Sequence, residues 1–360
     1  MKIERWSLVG AAFVLAISYA PRAHAEGEGA SASASSSGEF SADGTHPGEE
    51  SEGEEGEEKE PKIAVWIDAV FGFGDVPALN TTPPTTLGTL PTHNLENTHV
   101  ASDSYILGAS YKIGESLEIG ARIPIVHANF GPEGLQESRS TTTIGNLEIF
   151  AAYEKKINKK LAIIPELGIA LPTAVGDELP TGDDVTNNPA QQYDTNALDR
   201  FSALQAASAS RGLEESALFE SKRLGIIPKI ELEYKMNKLT IAPFIKMENL
   251  IATSSSLDKG YLGEIVPGFL ASYGVTKWLD VALRGWASIA FDKEDHDNNA
   301  LIVVEPELRA HFGPIHPVVG LLLPIFPVTG PGNTYNPPEP YDPVFDPRFL
   351  ALRVALTGKF

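Results

Sequence analysis

The chain has 360 residues, no cysteine and a formal net charge of −20. Without a thiol it carries no disulfide framework, no cysteine-built metal centre and no lipid-attachment site. Nucleic acid is not expected as a partner of so acidic a chain.

Residues 1–25 read as a secretory signal. Lys2 and Arg5 give a positive start, 8–19 form a short apolar run, and Ala23, His24 and Ala25 make a small-x-small cleavage site. The run is too short to cross a bilayer as a helix. Residues 26–60 are a low-complexity stretch of Glu, Gly, Ser and Ala, with twelve acidic residues against Lys59 alone, a charge of −11. Such a stretch buries too little to offset its ordering entropy, so disorder is expected there. It acts as a solvating spacer, or as a segment that binds cations or a basic partner. The folded unit is expected at 61–360.

From Lys62 onward, segments of alternating polarity recur between breaks. The alternation predicts twelve strands, at 62–74, 101–113, 116–130, 142–157, 160–174, 224–236, 239–253, 261–275, 278–291, 300–312, 315–329 and 347–360. Each exceeds the roughly 9–11 residues that a tilted strand needs to cross a membrane. Tight breaks at Gly114, Asn158, Asn237, Thr276 and Gly313 alternate with long polar ones, such as 75–100, 175–223 and 331–343. Short turns on one side and long loops on the other fit an all-β, up-and-down antiparallel transmembrane barrel.

Within the strands, apolar and charged rows oppose each other. Ile119, Ala121 and Ile123 lie opposite Glu118 and Arg122; Ile230, Leu232 and Tyr234 lie opposite Lys229, Glu231 and Glu233. In a membrane barrel the apolar rows meet lipid and the charges meet the lumen. The lumen is then expected to hold Glu118 and Arg122 of the third strand, Glu148 of the fourth, Glu166 of the fifth, and Lys229, Glu231 and Glu233 of the sixth. Lys246 and Glu248 follow from the seventh strand, Asp280 and Arg284 from the ninth, Glu305, Glu307 and Arg309 from the tenth, and Arg353 from the twelfth. Both signs at similar depth fit either a salt-bridged, closed interior or a narrow channel. Trp66, Tyr111, Tyr153, Tyr261, Tyr273, Trp278 and Phe360 are expected in interfacial aromatic girdles. Prolines are frequent inside the predicted strands, Pro124 and Pro228 among them. Bulges or lost bonds near the outer rim would accommodate them.

The break at 175–223 is far longer than a connection requires. Leu198, Phe201 and Leu204 have helical spacing, and Leu218 and Phe219 continue the apolar stripe. A short amphipathic helix is expected in this long external loop. It either folds over or into the barrel mouth as a constriction, or stands outside as a cap.

No catalytic signature occurs: there is no Gly-x-Ser-x-Gly elbow, no His-Glu-x-x-His and no phosphate-cradling glycine loop. His127 and His311 fall on strands with no serine at a defined spacing. An enzyme, a cofactor and a resident metal are therefore not expected. The oxygen-rich loop 292–299 lacks the central glycine and closing glutamate of a helix-loop-helix calcium site, and reads as a solvated external loop.

The final strand alternates Leu350, Leu352, Val354, Leu356, Gly358 and Phe360 with smaller or polar residues. It resembles the terminal strand of Gram-negative outer-membrane β-barrels, although Gly358 stands where that family has a larger apolar residue. The resemblance implies a cell outer-membrane location, contact with the lipid bilayer and lipopolysaccharide, and recognition of Phe360 by the barrel assembly machinery. Three further stretches, Ile144 to Ile149, Glu166 to Ala174 and Tyr273 to Trp278, are similar to the outer-membrane family of the meta-pathway of phenol degradation. That family has Gly-Asp where Gly145 and Asn146 stand, and Pro-Thr-Gly where Pro172, Thr173 and Ala174 stand. It implies passive passage of small solutes, hydrophobic or aromatic ones among them. The competing expectation is a closed structural barrel whose external loops or acidic tail bind a partner.

Overall fold

Alternate residues along these segments differ sharply in exposure, and that contrast gives the wall its two faces. In a computed structural model, residues 62–79, 95–131, 138–176, 195–254, 260–291, 299–328 and 350–360 are described. The expected signal, the acidic stretch 26–60 and loops 292–298 and 331–343 lie outside them.

The wall has twelve strands. They are β1 (Ile63–Leu79), β2 (Leu95–Ile113), β3 (Leu117–Phe130), β4 in three pieces (Arg139–Ile144, Leu147–Tyr153, Lys155–Asn158) and β5 (Leu161–Leu171). After a helix, α1 (Thr195–Ser210), come β6 (Arg223–Met236), β7 (Leu239–Ala252), β8 (Tyr261–Thr276) and β9 (Leu279–Phe291). β10 (Asn299–Ala310), β11 (Ile315–Val328) and β12 (Leu350–Lys359) complete the set. Each strand pairs antiparallel with its sequence neighbours, and β12 returns to β1, with Ile67 opposite Leu356 and Phe71 opposite Leu352. The sheet is a closed barrel, which leaves no free edge. β1 and β2 extend their hairpin to Leu79 and Leu95, into what the sequence suggested was loop.

Turn chemistry explains the tight connections. Gly114, Gly313 and Asn237 take φ values of 65°, 60° and 49°, the left-handed conformation that favours Gly and Asn. The Asn158 Oδ1 accepts the amides of Lys160 and Leu161 at 2.8 and 3.1 Å.

The prolines disturb less than expected, and in a different place. Pro228, Pro243, Pro267 and Pro306 keep partners on one neighbouring strand, namely Leu167, Phe269, Ile245 and Leu283. The ladder on the other side skips each of them. A strand residue aims its N–H at only one neighbour, so a proline costs one ladder and leaves the other intact. These gaps lie within the strands, not at the outer rim. Pro172 lies just beyond β5, which stops at Leu171.

Ile119, Ile149, Ile230, Leu232, Ile245 and Leu308 are among the exposed outer residues, while the intervening charged residues are buried. An apolar outside and a charged inside suit hydrocarbon as the surrounding solvent. Tyr111, Tyr153, Tyr273, Trp278 and Phe360 are exposed, as a girdle requires. Trp66 departs from that expectation. It turns inward against Phe150, with ring centroids 6.2 Å apart, over Gly108, where a Cβ would come within 2.2 Å of its indole. On β1, then, the inward row is the one that contains Trp66 and Asp68.

The lipid-facing assignment predicts the effect of charging the outer row. Ile245→Arg, at mid-strand, should cost about 2–4 kcal/mol in equilibrium unfolding into lipid vesicles. An unchanged unfolding midpoint would mean that this row does not meet hydrocarbon.

Candidate functional site

The described part of the connection from β5 to β6, residues 195–222, lies inside the barrel. Ala203, Leu204, Ala206 and Ala207 of α1 are fully buried, and the small side chains of the three alanines let the helix approach the wall closely. The helix ends in a Schellman turn: the Gly212 amide donates to Ala209 O (2.9 Å) and the Leu213 amide to Ser208 O (3.0 Å). Gly212, at φ 64°, is the left-handed residue this turn needs. A Cβ there would also sit 2.7 Å from Val303 and 2.8 Å from Trp286. The Gly212 carbonyl accepts bonds from Trp286 Nε1 (2.9 Å) and Ser288 Oγ (3.2 Å) of β9. A single 3₁₀ turn, Ser216–Leu218, follows before the chain rejoins the wall. The helix is thus shorter than the apolar stripe suggested. Phe201 and Leu204 lie on it, whereas Leu218 and Phe219 lie beyond the turn; Leu198 is on α1 with its side chain outside the described set.

This segment is bound to the wall by a continuous run of buried ion pairs. Glu148 Oε2 accepts Arg122 Nε and Nη2 at 3.0 and 2.7 Å, and Arg122 Nη1 reaches Glu215 Oε1 at 2.7 Å. Glu215 Oε2 accepts Arg211 Nη1 at 3.0 Å, and the same nitrogen lies 3.0 Å from Asp68 Oδ2. Arg353 grips Asp68 with Nε and Nη2 at 3.0 and 2.9 Å, and extends Nη1 to Glu305 at 3.5 Å. Glu305 is 3.7 Å from Arg284, which pairs with Glu214. The path runs from β4 through β3, the interior segment, β1, β12, β10 and β9, and returns to the interior segment. Burial opposes a charge on Glu215, but Arg122 and Arg211 outweigh it and hold its carboxyl below the ordinary glutamate range.

A second anchor is Lys246, 2.8 Å from Glu248, whose Oε2 accepts the Ala217 amide at 2.6 Å. Lower in the barrel, Lys229 sits between Glu231 (3.3 Å) and Glu166 (3.8 Å), and Arg309 pairs with Glu307 at 2.6 Å. Glu118 and Glu233 are also buried, Glu233 beside Lys235 at 2.8 Å. The opposite side of the segment is apolar. Leu204, Leu218 and Phe219 pack on Val100, Ile106, Val126 and Phe130, an oily patch on the inner wall of β2 and β3.

The β4 wall is interrupted where it meets this segment. Arg139–Ile144 pairs with β3 but not with β5, and the register shifts by one residue at Gly145 and Asn146. Thr173 Oγ1 bridges the gap, donating to Gly145 O (3.1 Å) and accepting the Leu147 amide (2.7 Å). The Asn146 side-chain amide donates to Ala217 O (2.8 Å) and Glu220 O (2.6 Å), and its backbone amide to Leu218 O (2.7 Å). The residue after Gly145 in the sequence motif is therefore a bracket for the interior segment. Gly145 has no room for a side chain, since a Cβ would meet Leu218 O at 2.3 Å.

Sequence reasoning missed Asp68, Arg211, Glu214 and Glu215, and also Ser104 of β2, whose Oγ accepts Arg211 Nε at 2.9 Å. Placing Trp66 outward put Asp68 on the wrong face, because a one-residue parity slip inverts a whole row. The other three charged residues lie in a loop, where no strand alternation marks a facing direction. Of the histidines, His127 bonds Thr142 Oγ1 at 2.8 Å. His311 lies between Asp280 (3.1 Å) and His316 (3.0 Å). Ser272 donates to Asp280 at 3.4 Å, so this group places no serine against an imidazole base.

The chain matches no protein-family model and no curated protein. Among solved structures it is similar to an outer-membrane channel from Pseudomonas putida F1, at 10% identity and a TM-score of 0.51. That match covers 84% of this chain and 98% of that one. Looser likenesses are the β domain of the Bordetella autotransporter Brka (8% identity, TM-score 0.41, covering 83% and 100%) and the Pseudomonas putida toluene transporter TodX (7%, 0.38, covering 84% and 89%). Those two scores are too low to carry an argument. With the lipid-facing belt, the first likeness makes the fold that of an outer-membrane β-barrel.

Proposed function

We propose that the protein is an outer-membrane channel for passive passage of small solutes, closed by its own interior segment, residues 195–222. The observation that carries this reading is that the obstruction is separable from the wall. It rejoins the wall at the long-loop rim, and among the described residues its backbone meets the wall's backbone at two places, Leu218 O accepting the Asn146 amide (2.7 Å) and Lys222 O accepting the Thr253 amide (2.8 Å); side chains make the other bonds, so its withdrawal breaks no strand ladder. Withdrawal would bare the oily patch of Val100, Ile106, Val126 and Phe130 beside a charged layer. Such a lining suits amphipathic or apolar solutes, aromatic ones among them. The expected contacts with lipopolysaccharide and the assembly machinery, through Phe360, belong to this same reading.

The ion-paired interior favours a second reading, a permanently closed barrel that presents loops to a partner. Planar-bilayer recording separates the two. Removing both clamping carboxylates with Glu214→Gln and Glu215→Gln leaves Arg122, Arg211 and Arg284 short of partners. Breaking a buried pair costs about 3–5 kcal/mol, so open-state occupancy should rise by roughly a hundredfold to a few thousandfold. Replacing residues 180–219 with a short Gly-Ser linker should give a continuously conducting barrel. If neither variant passes ions or solute, the channel reading fails.

The pH response follows from Glu215. Because its folded pKa is depressed, its contribution is complete above the unfolded value, about 4.3. It is lost only as pH falls through the lower folded value. The difference in conductance between wild type and Glu215→Gln should therefore stay constant from about pH 7 to pH 5 and shrink below about pH 4.

A further inference from the structure

The rim that carries the short turns has an excess of positive charge that the described residues do not offset. Three successive hairpins, β4–β5, β6–β7 and β8–β9, present Lys155, Lys156, Lys159, Lys160, Lys238 and Lys277 there, all exposed. Of the carboxylates toward this rim, Glu154 and Glu233 serve Lys112, Lys156 and Lys235 at 4.0, 3.8 and 2.8 Å, Asp280 takes His311, and Glu115 stands exposed in the β2–β3 turn, against these six exposed lysines. Among the described residues no ion pair holds Lys155, Lys159, Lys160, Lys238 or Lys277. These tips also lie beyond the exposed Tyr153, Tyr234, Tyr273 and Trp278 along their strands, on the aqueous side of the aromatic belt.

The wall begins at the same rim: the Lys62 and Ile63 amides bond the Phe360 carbonyl at 2.8 and 2.9 Å. Immediately before it, residues 49–60 hold eight glutamates and one lysine. Twelve extended residues reach about 40 Å. The first lysine hairpin is three to four strands away around the wall, about 15–20 Å at the usual strand spacing. A polyanion tethered this close to a polycation works at an effective concentration on the order of millimolar.

We propose that the glutamate run 49–60 docks on the lysine arc of Lys155 to Lys160, Lys238 and Lys277, as an intramolecular contact on the short-turn rim. The contact does not depend on whether the lumen conducts. The competing occupant is the phosphate of membrane headgroups. The covalent tether and the position of the lysines beyond the aromatic belt favour the chain's own acidic run.

The test is zero-length carbodiimide coupling of residues 26–360, refolded in zwitterionic lipid nanodiscs at low salt, with the new amides mapped by mass spectrometry. Amides should join glutamates of 49–60 to Lys155, Lys156, Lys159, Lys160, Lys238 and Lys277, but not to Lys222 at the opposite rim. Their yield should collapse at about 0.5 M salt. The combined variant Lys155→Gln, Lys156→Gln, Lys159→Gln and Lys160→Gln should lower it about tenfold, with unchanged heat-modifiability on gels as the control for folding. Amides that persist in nanodiscs of anionic lipid support the contact. Their absence, equal coupling to Lys222, or loss in anionic lipid alone would overturn it and, in the last case, assign the lysines to headgroups.

Discussion

The bridge of Asp68 between Arg211 and Arg353 is the contact on which the interior arrangement turns. Both arginines and the aspartate are cut off from water by the wall and the interior segment, and an unpaired charge in that setting costs several kcal/mol. Each partner must therefore find another, and the search ends only when the run from Glu148 to Glu214 is complete. Such pairs are weak evidence for net stability, because desolvation cancels much of their attraction. Their effect is selective: the segment fits in one position, since any shift would strand several charges together.

The two sides of the interior segment do different work. Its charged turn, Arg211, Glu214 and Glu215, is directional and sets register against β1, β3 and β9. Its oily side, with Leu204, Leu218 and Phe219, rests on β2 and β3 through contacts that tolerate sliding. Small residues, Ala203, Ala206, Ala207 and Gly212, let both contacts form in a lumen only twelve strands around. The break in β4 belongs to the same arrangement. At Gly145 and Asn146 the wall gives up ladder bonds, and Asn146 spends its amide on the segment instead.

Most of the wall was legible in the sequence because alternation is a local signal: strand number, loop asymmetry and the facing of β3, β6 and β10 follow from residues that are neighbours in the chain. Legibility failed where that signal was mixed. In β1 an inward Trp66 reads like a membrane-interface aromatic, and this hid Asp68. The prolines looked like edge residues, yet each removes a donor from one ladder only. The interior segment showed helical spacing but not the turn at Gly212, because Leu218 and Phe219 stay apolar beyond it.

By itself, the sequence determined which residues share a face of each strand, since a period of two is written into it, although in β1 it did not determine which face turns inward. It also determined that one loop is too long and too apolar to lie in water unaided. Only the tertiary structure decided where that loop goes and which charges it meets. Arg211 and Asp68 are 143 residues apart, and Arg353 and Asp68 are 285 apart. Alternation specifies a face, not the occupant opposite it, and those partners come within reach only when β12 closes on β1.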